Sequence, residues 1–198
     1  MRTALARAAF AAFALALAFG AGAADKKGDD SKVSRGDKNF IAKAMKGGMT
    51  EVELGKLAAQ NAQNDEVKKF GQRMVDDHSK SGDELQAIAS KLGYAPKNAG
   101  PDKGDVKKFS KMKSDKFDRE YMNHMVKDHE QTVKLFRKEA EKGESAELKQ
   151  FASKTLPTLE EHLKMAKDLQ GQFKKTKGGG DRKDGGSDKK AASDKKAS

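Results

Sequence analysis

The chain has 198 residues, 36% of them charged, with no cysteine and a formal net charge of +11. This length accommodates one domain with terminal extensions, and the absence of cysteine excludes disulfide frameworks and cysteine nucleophiles. The positive charge is concentrated toward the ends, so the middle of the chain is only mildly basic. Because that middle part lacks a basic helix and an aromatic platform, we expect no nucleic-acid partner.

The N-terminus reads as a secretory signal peptide over residues 1–23, followed by a linker at 24–36. It combines two arginines with an apolar run over Ala8–Phe19 and an A-x-A cleavage sequence at Ala21–Ala23. An uncleaved anchor is the alternative, but the run is short for a membrane span of about 20 residues. We therefore expect cleavage, location in the periplasm or cell envelope, and no transmembrane segment in the mature chain.

Helical periodicity fills residues 37–173, and nothing there resembles a strand. Apolar stripes at three- and four-residue steps predict four helices, at about 38–62, 65–92, 115–142 and 146–173. Asp37 and Asn64 are candidate N-caps of the first two helices. Gly93–Asp105 carries two of the three prolines and predicts a connection without helix, whereas Pro157 predicts a kink or a restart in the fourth helix.

The two halves of this region resemble each other at an offset of 81 residues. The matched positions include Phe40 with Tyr121, Val67 with Leu148, and Phe70 with Phe151. Two similar helical hairpins joined by a longer connection are typical of a ferritin-like four-helix bundle. The fold class predicted for residues 37–173 is therefore all-α.

Residues 174–198 form a tail of Gly, Lys, Asp and Ser in which "SDKKA" occurs twice. It carries nine Lys and Arg against four Asp and no apolar residue beyond alanine. Such a composition buries too little surface to offset the entropy of ordering, so we predict a disordered segment. Its positive charge favours contact with anionic surfaces of the envelope, or simply solubility.

Three of the four histidines directly follow an acidic residue. Two lie in the similar sequences "MVDDH" (Met74–His78) and "MVKDH" (Met125–His129), and the third in Glu161-His162. Each of these histidines falls on an apolar stripe, which predicts that it faces the bundle interior. His124 lies off the main stripe and is interpreted as a surface residue.

The spacing along the helices places these histidines at a common depth. At 1.5 Å per residue, His78 and His129 each lie about 21 Å from the turn of their hairpin, His162 about 26 Å and Glu51 about 20 Å. Three imidazoles and a carboxylate in one layer form a ligand set for a transition metal, zinc or copper. The predicted ligands are Glu51, His78, His129 and His162, and the residues predicted to orient them are Asp77, Asp128 and Glu161.

A structural interpretation of the same residues stays open. Buried histidines often hold hydrogen bonds across a bundle without any metal. Methionines accompany the histidines at helical spacing, as thioether ligands for copper or, more simply, as core residues: Met74, Met125 and Met165.

Enzymatic chemistry is not expected. A di-iron site requires a carboxylate three residues before a histidine, and those positions hold valine or leucine: Val75, Val126 and Leu159. The sequence also lacks a phosphate-binding Gly-rich loop after a strand and a nucleophile elbow.

The segments "GGMTEVELGKLAAQNAQNDEVKKFGQRMVDDH", "KFDREYMNHMVKDHEQTVKLF" and "ELKQFASKTLPTLEEH" together resemble the exported bacterial proteins grouped as domain of unknown function 4142. The resemblance covers about Lys38–Leu169 and implies a ferritin-like four-helix bundle behind a signal peptide. Proteins of this family are often labelled outer membrane proteins, which we interpret as location in the envelope. The family motif positions present here are Glu51, Asp77, His78, Asp128, His129, Pro157 and His162.

The resemblance supplies no reaction, so two functions stay open. The first is a periplasmic bundle that binds a transition metal in its core, for metal handling or protection against envelope stress. The second is a metal-free structural or interaction protein of the envelope, in which the basic tail makes the contacts.

Overall fold

The computed structural model describes residues 33–97 and 99–178, without the side chains of 114, 115 and 175–178. The predicted signal peptide, most of the predicted linker and the tail beyond 178 lie outside these residues. The helices are α1 (Arg35–Asn61), α2 (Asp65–Lys91), α3 (Lys103–Ser110), α4 (Ser114–Lys142) and α5 (Ala146–Gly178). The described part contains no strand. None of its helices combines the length and the apolar composition that crossing a membrane requires.

The four long helices begin and end close to the predicted positions. Asn64 caps α2 as predicted, accepting hydrogen bonds from the N–H groups of Glu66 at 2.7 Å and Val67 at 3.3 Å. Asp37 does not cap α1. That helix starts earlier, at Arg35, because the hydroxyl of Ser34 accepts a hydrogen bond from the Asp37 N–H at 3.0 Å.

The connection between the two hairpins contains α3, which the sequence pattern did not predict. The Asp102 side chain caps this helix by accepting from the N–H groups of Gly104 at 2.9 Å and Asp105 at 3.2 Å. Phe109 is fully buried and holds α3 against the bundle. A helix of eight residues with so few apolar positions is too short to show a clear period.

The last helix runs through Pro157 without restarting, so the restart that the sequence allowed does not occur. Proline removes one backbone hydrogen bond, and the packing of the flanking turns sustains the helix across it. α5 also continues to Gly178, past the predicted end at 173. Lysine is a good helix former, and Lys174 donates to Gln170 Oε1 at 2.7 Å on the last turns.

The long helices pack as two hairpins, α1 with α2 and α4 with α5, which close into a four-helix bundle. α1 packs on α4, α2 packs on α5, and α3 lies against α1. The buried residues form two separate apolar clusters. Cluster 1 lies around Leu54, Phe70, Met74, Tyr121, Met125 and Leu169. Cluster 2 lies around Phe40, Met45, Leu85, Phe136, Phe151 and Leu159.

The predicted repeat corresponds to a pseudo-twofold arrangement of the hairpins. Asp118, at the start of α4, accepts from the N–H of Asn64 at 2.7 Å and from the N–H of Gln63 at 3.1 Å, in the α1–α2 turn. Asp37, which lies 81 residues earlier, accepts from the corresponding N–H groups of the α4–α5 turn at 3.1 and 3.0 Å. Each hairpin thus ties down the turn of the other with one buried carboxylate.

A second carboxyl group, that of Glu139, lies buried beside Asp37. Burial, with the negative charge of Asp37, raises the pKa of Glu139 from 4.5 to about 7. A raised folded-state pKa stabilises the fold below about pH 4.5, and this contribution is lost as the pH rises toward about 7. Glu139→Gln is therefore expected to raise the free energy of unfolding by about 1–3 kcal/mol at pH 8 and to change it little at pH 5.

Urea unfolding at the two pH values measures this effect. Glu141→Gln is the matched control, since Glu141 is exposed on the same last turn of α4. Equal stabilities of Glu139→Gln and the natural protein at pH 8 would contradict the expected result.

Candidate metal centre

Each of the four long helices places one polar side chain between the two apolar clusters. These side chains form a polar layer, defined as Glu51, His78, His129 and His162. Along α1, for example, cluster 2 ends at Met45, Glu51 follows, and cluster 1 begins at Leu54. All four layer residues are buried, with exposures between 0% and 6%. The predicted common depth is therefore observed, and it results from helices that cross the bundle with similar spacing from their turns.

The three histidines converge on one point. One ring nitrogen from each lies within 4.8 Å of the corresponding nitrogens of the other two. The ring centroids are 5.4 Å apart for His78–His162 and His129–His162, and 5.7 Å apart for His78–His129. Within the described residues, this is the one group of three or more His, Asp or Glu whose spacing suits a metal ion.

The tautomer of His129 is set by the backbone of its own helix. Its Nδ1 lies 3.0 Å from the carbonyl oxygen of Met125, which can only accept, so Nδ1 carries the hydrogen. Nε2 is then a buried lone pair, and it has no hydrogen-bond partner. Burial lowers the pKa of His129, which favours this neutral form.

The tautomer of His162 is set by a neighbouring helix. Its Nε2 lies 2.8 Å from Asp77 Oδ2 and therefore carries the hydrogen, which leaves Nδ1 buried and without a partner. Burial lowers the pKa of His162 to about 4, outweighing the opposing effect of Asp77. Asp77 is held in turn by Arg73 Nε at 3.2 Å, and the Arg73 guanidinium binds Glu161 at 2.8 and 3.0 Å.

Glu51 lies between the other two histidines. Its Oε2 is 3.0 Å from His78 Nε2, and its Oε1 is 3.1 Å from His129 Nδ1. Neither contact is aligned as a hydrogen bond, and both Glu51 Oε1 and His78 Nε2 are buried without a partner. Burial opposes ionisation of Glu51, but the adjacent imidazoles outweigh it and hold the pKa of this carboxyl well below its usual range.

The charge of Glu51 acts on two more groups. Burial lowers the pKa of His78, but Glu51 outweighs this and raises it above its usual value. Burial and the negative charge of Glu51 together raise the pKa of Asp128 to about 7. The centre thus holds two neutral imidazoles, one imidazole that favours a proton, and one ionised carboxylate.

The acidic residues next to the histidines interact mainly with residues other than the histidine that follows them. Asp77 contacts His162 rather than His78, Asp128 lies beside Glu51, and Glu161 pairs with Arg73. Consecutive residues point about 100° apart on a helix, so an acid beside an inward histidine faces the next helix. Arg73 was missed from the sequence, although its spacing of four residues from Asp77 is the signal for such a pair.

His124 is not the surface residue that the sequence predicted. It is 20% exposed and packs edge-on against Phe109, with 5.2 Å between ring centroids. The unpredicted α3 covers this side of α4. Met74 and Met125 are fully buried in cluster 1, consistent with their interpretation as core residues.

The sequence matches the family described as Domain of unknown function (DUF4142) over residues 22–169. The chain belongs to this family. The match confirms the resemblance drawn from the motifs and covers all four residues of the polar layer. Comparison with curated proteins gives no match.

Solved structures similar to this DUF4142 protein are helical domains. A DUF305 fragment from Deinococcus radiodurans has a TM-score of 0.62 at 12% identity, covering 71% of this chain and 98% of its own. CopM in the Cu(II)-bound form has a TM-score of 0.60 at 18% identity, covering 69% and 96%. A DUF305 protein from Streptomyces coelicolor, provisionally described as secreted, has a TM-score of 0.59 at 13% identity, covering 68% and 91%. At these identities the likeness confirms the ferritin-like helical fold.

Proposed function

We propose that this DUF4142 protein binds one transition metal ion, zinc or copper, in its polar layer. The observation that carries the proposal is the convergence of three buried histidines, each with one ring nitrogen within 4.8 Å of a ring nitrogen of the other two. Each of them also has one buried ring nitrogen without a hydrogen-bond partner: His78 Nε2, His129 Nε2 and His162 Nδ1. Leaving a buried polar atom unsatisfied costs about 1–3 kcal/mol, so three such nitrogens around one point favour a bound ligand. One metal ion can accept an electron pair from all three at once, after His78 has given up its proton.

The roles of the individual groups follow from their tautomers. His129 Nε2 and His162 Nδ1 offer lone pairs without any rearrangement, and His78 Nε2 does so once it gives up its proton. Glu51 offers a carboxylate oxygen as a fourth ligand. Asp77 holds the ring of His162 by its other nitrogen, as outer groups commonly do for metal-binding histidines. Three nitrogens and one oxygen are a donor set that suits both zinc and copper(II).

The proposed role is metal handling in the periplasm or cell envelope, by binding rather than by catalysis. The predicted signal peptide and the secreted description of one structural neighbour support this location. The structural neighbour CopM is described in its Cu(II)-bound form, which makes copper the first ion to test here. The basic tail would hold the protein near anionic surfaces.

The test is a metal titration of the protein produced without a polyhistidine tag, against a competing chelator. The natural chain is expected to bind about one ion, and His162→Gln to bind it about 10- to 100-fold more weakly, since one directed ligand is lost. Glu141→Gln is the control, because Glu141 is exposed on the last turn of α4, away from the polar layer, and we expect the affinity of this variant to be unchanged. A natural protein that binds neither copper nor zinc would overturn the proposal in favour of a structural polar layer.

A further inference from the structure

At least three openings among the described residues reach the polar layer, and they differ in chemistry. The one relevant here is a cleft of about 370 Å³ between α1, α3 and α4. Glu51 lies at its buried end, and its wall carries Asp102, Asp105, His124 and Asp128. We call this opening the acidic cleft. Two lysines also line it, Lys43 and Lys46.

The charges of the acidic cleft do not cancel. Lys46 Nζ lies 2.8 Å from Asp102 Oδ2, so this pair is neutralised at the surface. Asp102 also has a structural role, because its backbone N–H donates to Thr50 Oγ1 on α1 at 2.8 Å. Asp105 has no lysine or arginine partner among the described residues, and its Oδ2 lies 3.9 Å from His124 Nε2. A carboxylate and an imidazole therefore face each other across the outer part of the cleft.

The inner end of the acidic cleft points to a cation independently. Glu51 is 1% exposed, and its Oε1 accepts no hydrogen bond. Asp128 lines the same cleft as Glu51, Asp105 and His124. Oxygen and nitrogen donors thus follow one another from the surface to the layer.

The other two openings suit a hydrated cation poorly. A cavity of about 370 Å³ beside α1 and α2 reaches Glu51 and His78, but its inner wall is apolar, with Leu85, Phe136 and Leu159. An ion crossing such a wall loses its water without gaining ligands. The third opening is smaller, about 160 Å³, and its carboxylates already have partners: Glu84 pairs with Lys154 at 2.9 Å, and Asp77 contacts His162 at 2.8 Å.

We propose that the acidic cleft is the route by which the metal ion reaches the polar layer, with Asp105 and His124 as an outer docking pair and Asp128 as the step before Glu51. This inference rests on the proposed metal-binding function and adds the direction of uptake. Its ligand class is a hydrated divalent cation, which both the charge and the donor atoms of the cleft attract.

Two exposed glutamines allow a matched test. Gln131 lines the acidic cleft and Gln86 lines the apolar cavity, each exposed on a long helix. Zinc uptake from a chromophoric chelator is followed by stopped flow at 0.1 M salt, where charges act over about 10 Å. Gln131→Lys is expected to take up zinc about 5-fold more slowly than Gln131→Glu. The pair Gln86→Lys and Gln86→Glu is expected to differ by less than about 2-fold.

The possible results separate the two proposals. A difference in zinc uptake rate between the two Gln86 variants, without one between the two Gln131 variants, would place uptake in the apolar cavity. That result would overturn the route and leave the metal-binding function intact. Equal uptake rates for all four variants would also overturn it. A natural chain that binds no zinc or copper at equilibrium would instead overturn the metal-binding function, and the route with it.

Discussion

Replacing Gly71 by alanine is expected to destabilise the protein by about 3 kcal/mol or more, whereas the same replacement at Gly82 is expected to stabilise it by up to about 1 kcal/mol. Both glycines lie in α2, so both replacements gain the same helix propensity. A Cβ atom at Gly71 would lie 2.7 Å from the Cβ of Ala58 and 2.8 Å from the carbonyl oxygen of Gly55, on α1. A Cβ atom at Gly82 would meet nothing within 4 Å.

The cost at Gly71 comes from backbone that cannot move aside. Gly55 of α1 and Gly71 of α2 face each other, and a Cβ on Gly55 would lie 2.5 Å from the Gly71 carbonyl oxygen. Relief requires separating the helices and opening the packing around Leu54 and Met74. Chemical denaturation of the two alanine variants measures their changes in the free energy of unfolding, which are expected to have opposite signs. A Gly71→Ala variant as stable as Gly82→Ala would mean that the hairpin adapts at this crossing.

The architecture could be predicted because several sequence signals agree. The helical period predicted four long helices, and the offset of 81 residues predicted two similar hairpins. What failed was local. α3 is short, and two features stabilise it: the cap provided by the Asp102 side chain and the burial of Phe109. Pro157 predicts a kink or a restart of the fourth helix, but α5 continues through it without a restart.

The depth of the candidate site residues along the bundle could be predicted from the sequence, but the contacts that they make could not. Counting residues from the turns needs only the helical rise, so Glu51 and the three histidines could be placed at one depth. The partner of Asp77 depends on which helix packs beside α2 and on how that helix is rotated about its own axis. The pattern of residues along a single helix specifies neither. The same applies to His124, whose burial depends on α3.

The polar layer breaks the symmetry that the rest of the bundle keeps. The 81-residue offset relates the two turn-binding aspartates and the ring pairs Phe40–Phe151 and Tyr121–Phe70, at 6.4 and 6.2 Å between centroids. It relates no residue of the layer to another residue of the layer. The equivalents of Glu51, His78, His129 and His162 are Thr132, Leu159, Gly48 and Ser81. A repeat that keeps its packing in both halves therefore places a single set of polar residues across all four helices, as the proposed metal ion would need.

The second large effect is expected from the triple variant Glu51→Met/His78→Leu/His129→Leu, which replaces most of the polar layer by apolar side chains of similar size. Its affinity for copper and zinc is expected to fall at least about 10⁴-fold, because a single histidine of the layer remains. Its metal-free form is expected to be more stable than the metal-free natural protein by about 1–4 kcal/mol.

The gain in stability follows from the burial of the layer. In the metal-free protein, clusters 1 and 2 are separated by an ionised carboxylate and by nitrogens without partners, and the contacts of Glu51 with His78 and His129 offset only part of their desolvation. Leucine and methionine would join the two clusters into one core, while Asp77 still holds His162. Urea unfolding of both proteins without metal gives the comparison, and repeating it with saturating zinc gives the stabilisation that only the natural protein should show. A triple variant that is less stable, or that loses its sharp unfolding transition, would mean that the layer serves the fold itself. A more stable variant that no longer binds metal would mean that the protein keeps a costly polar layer for its ion.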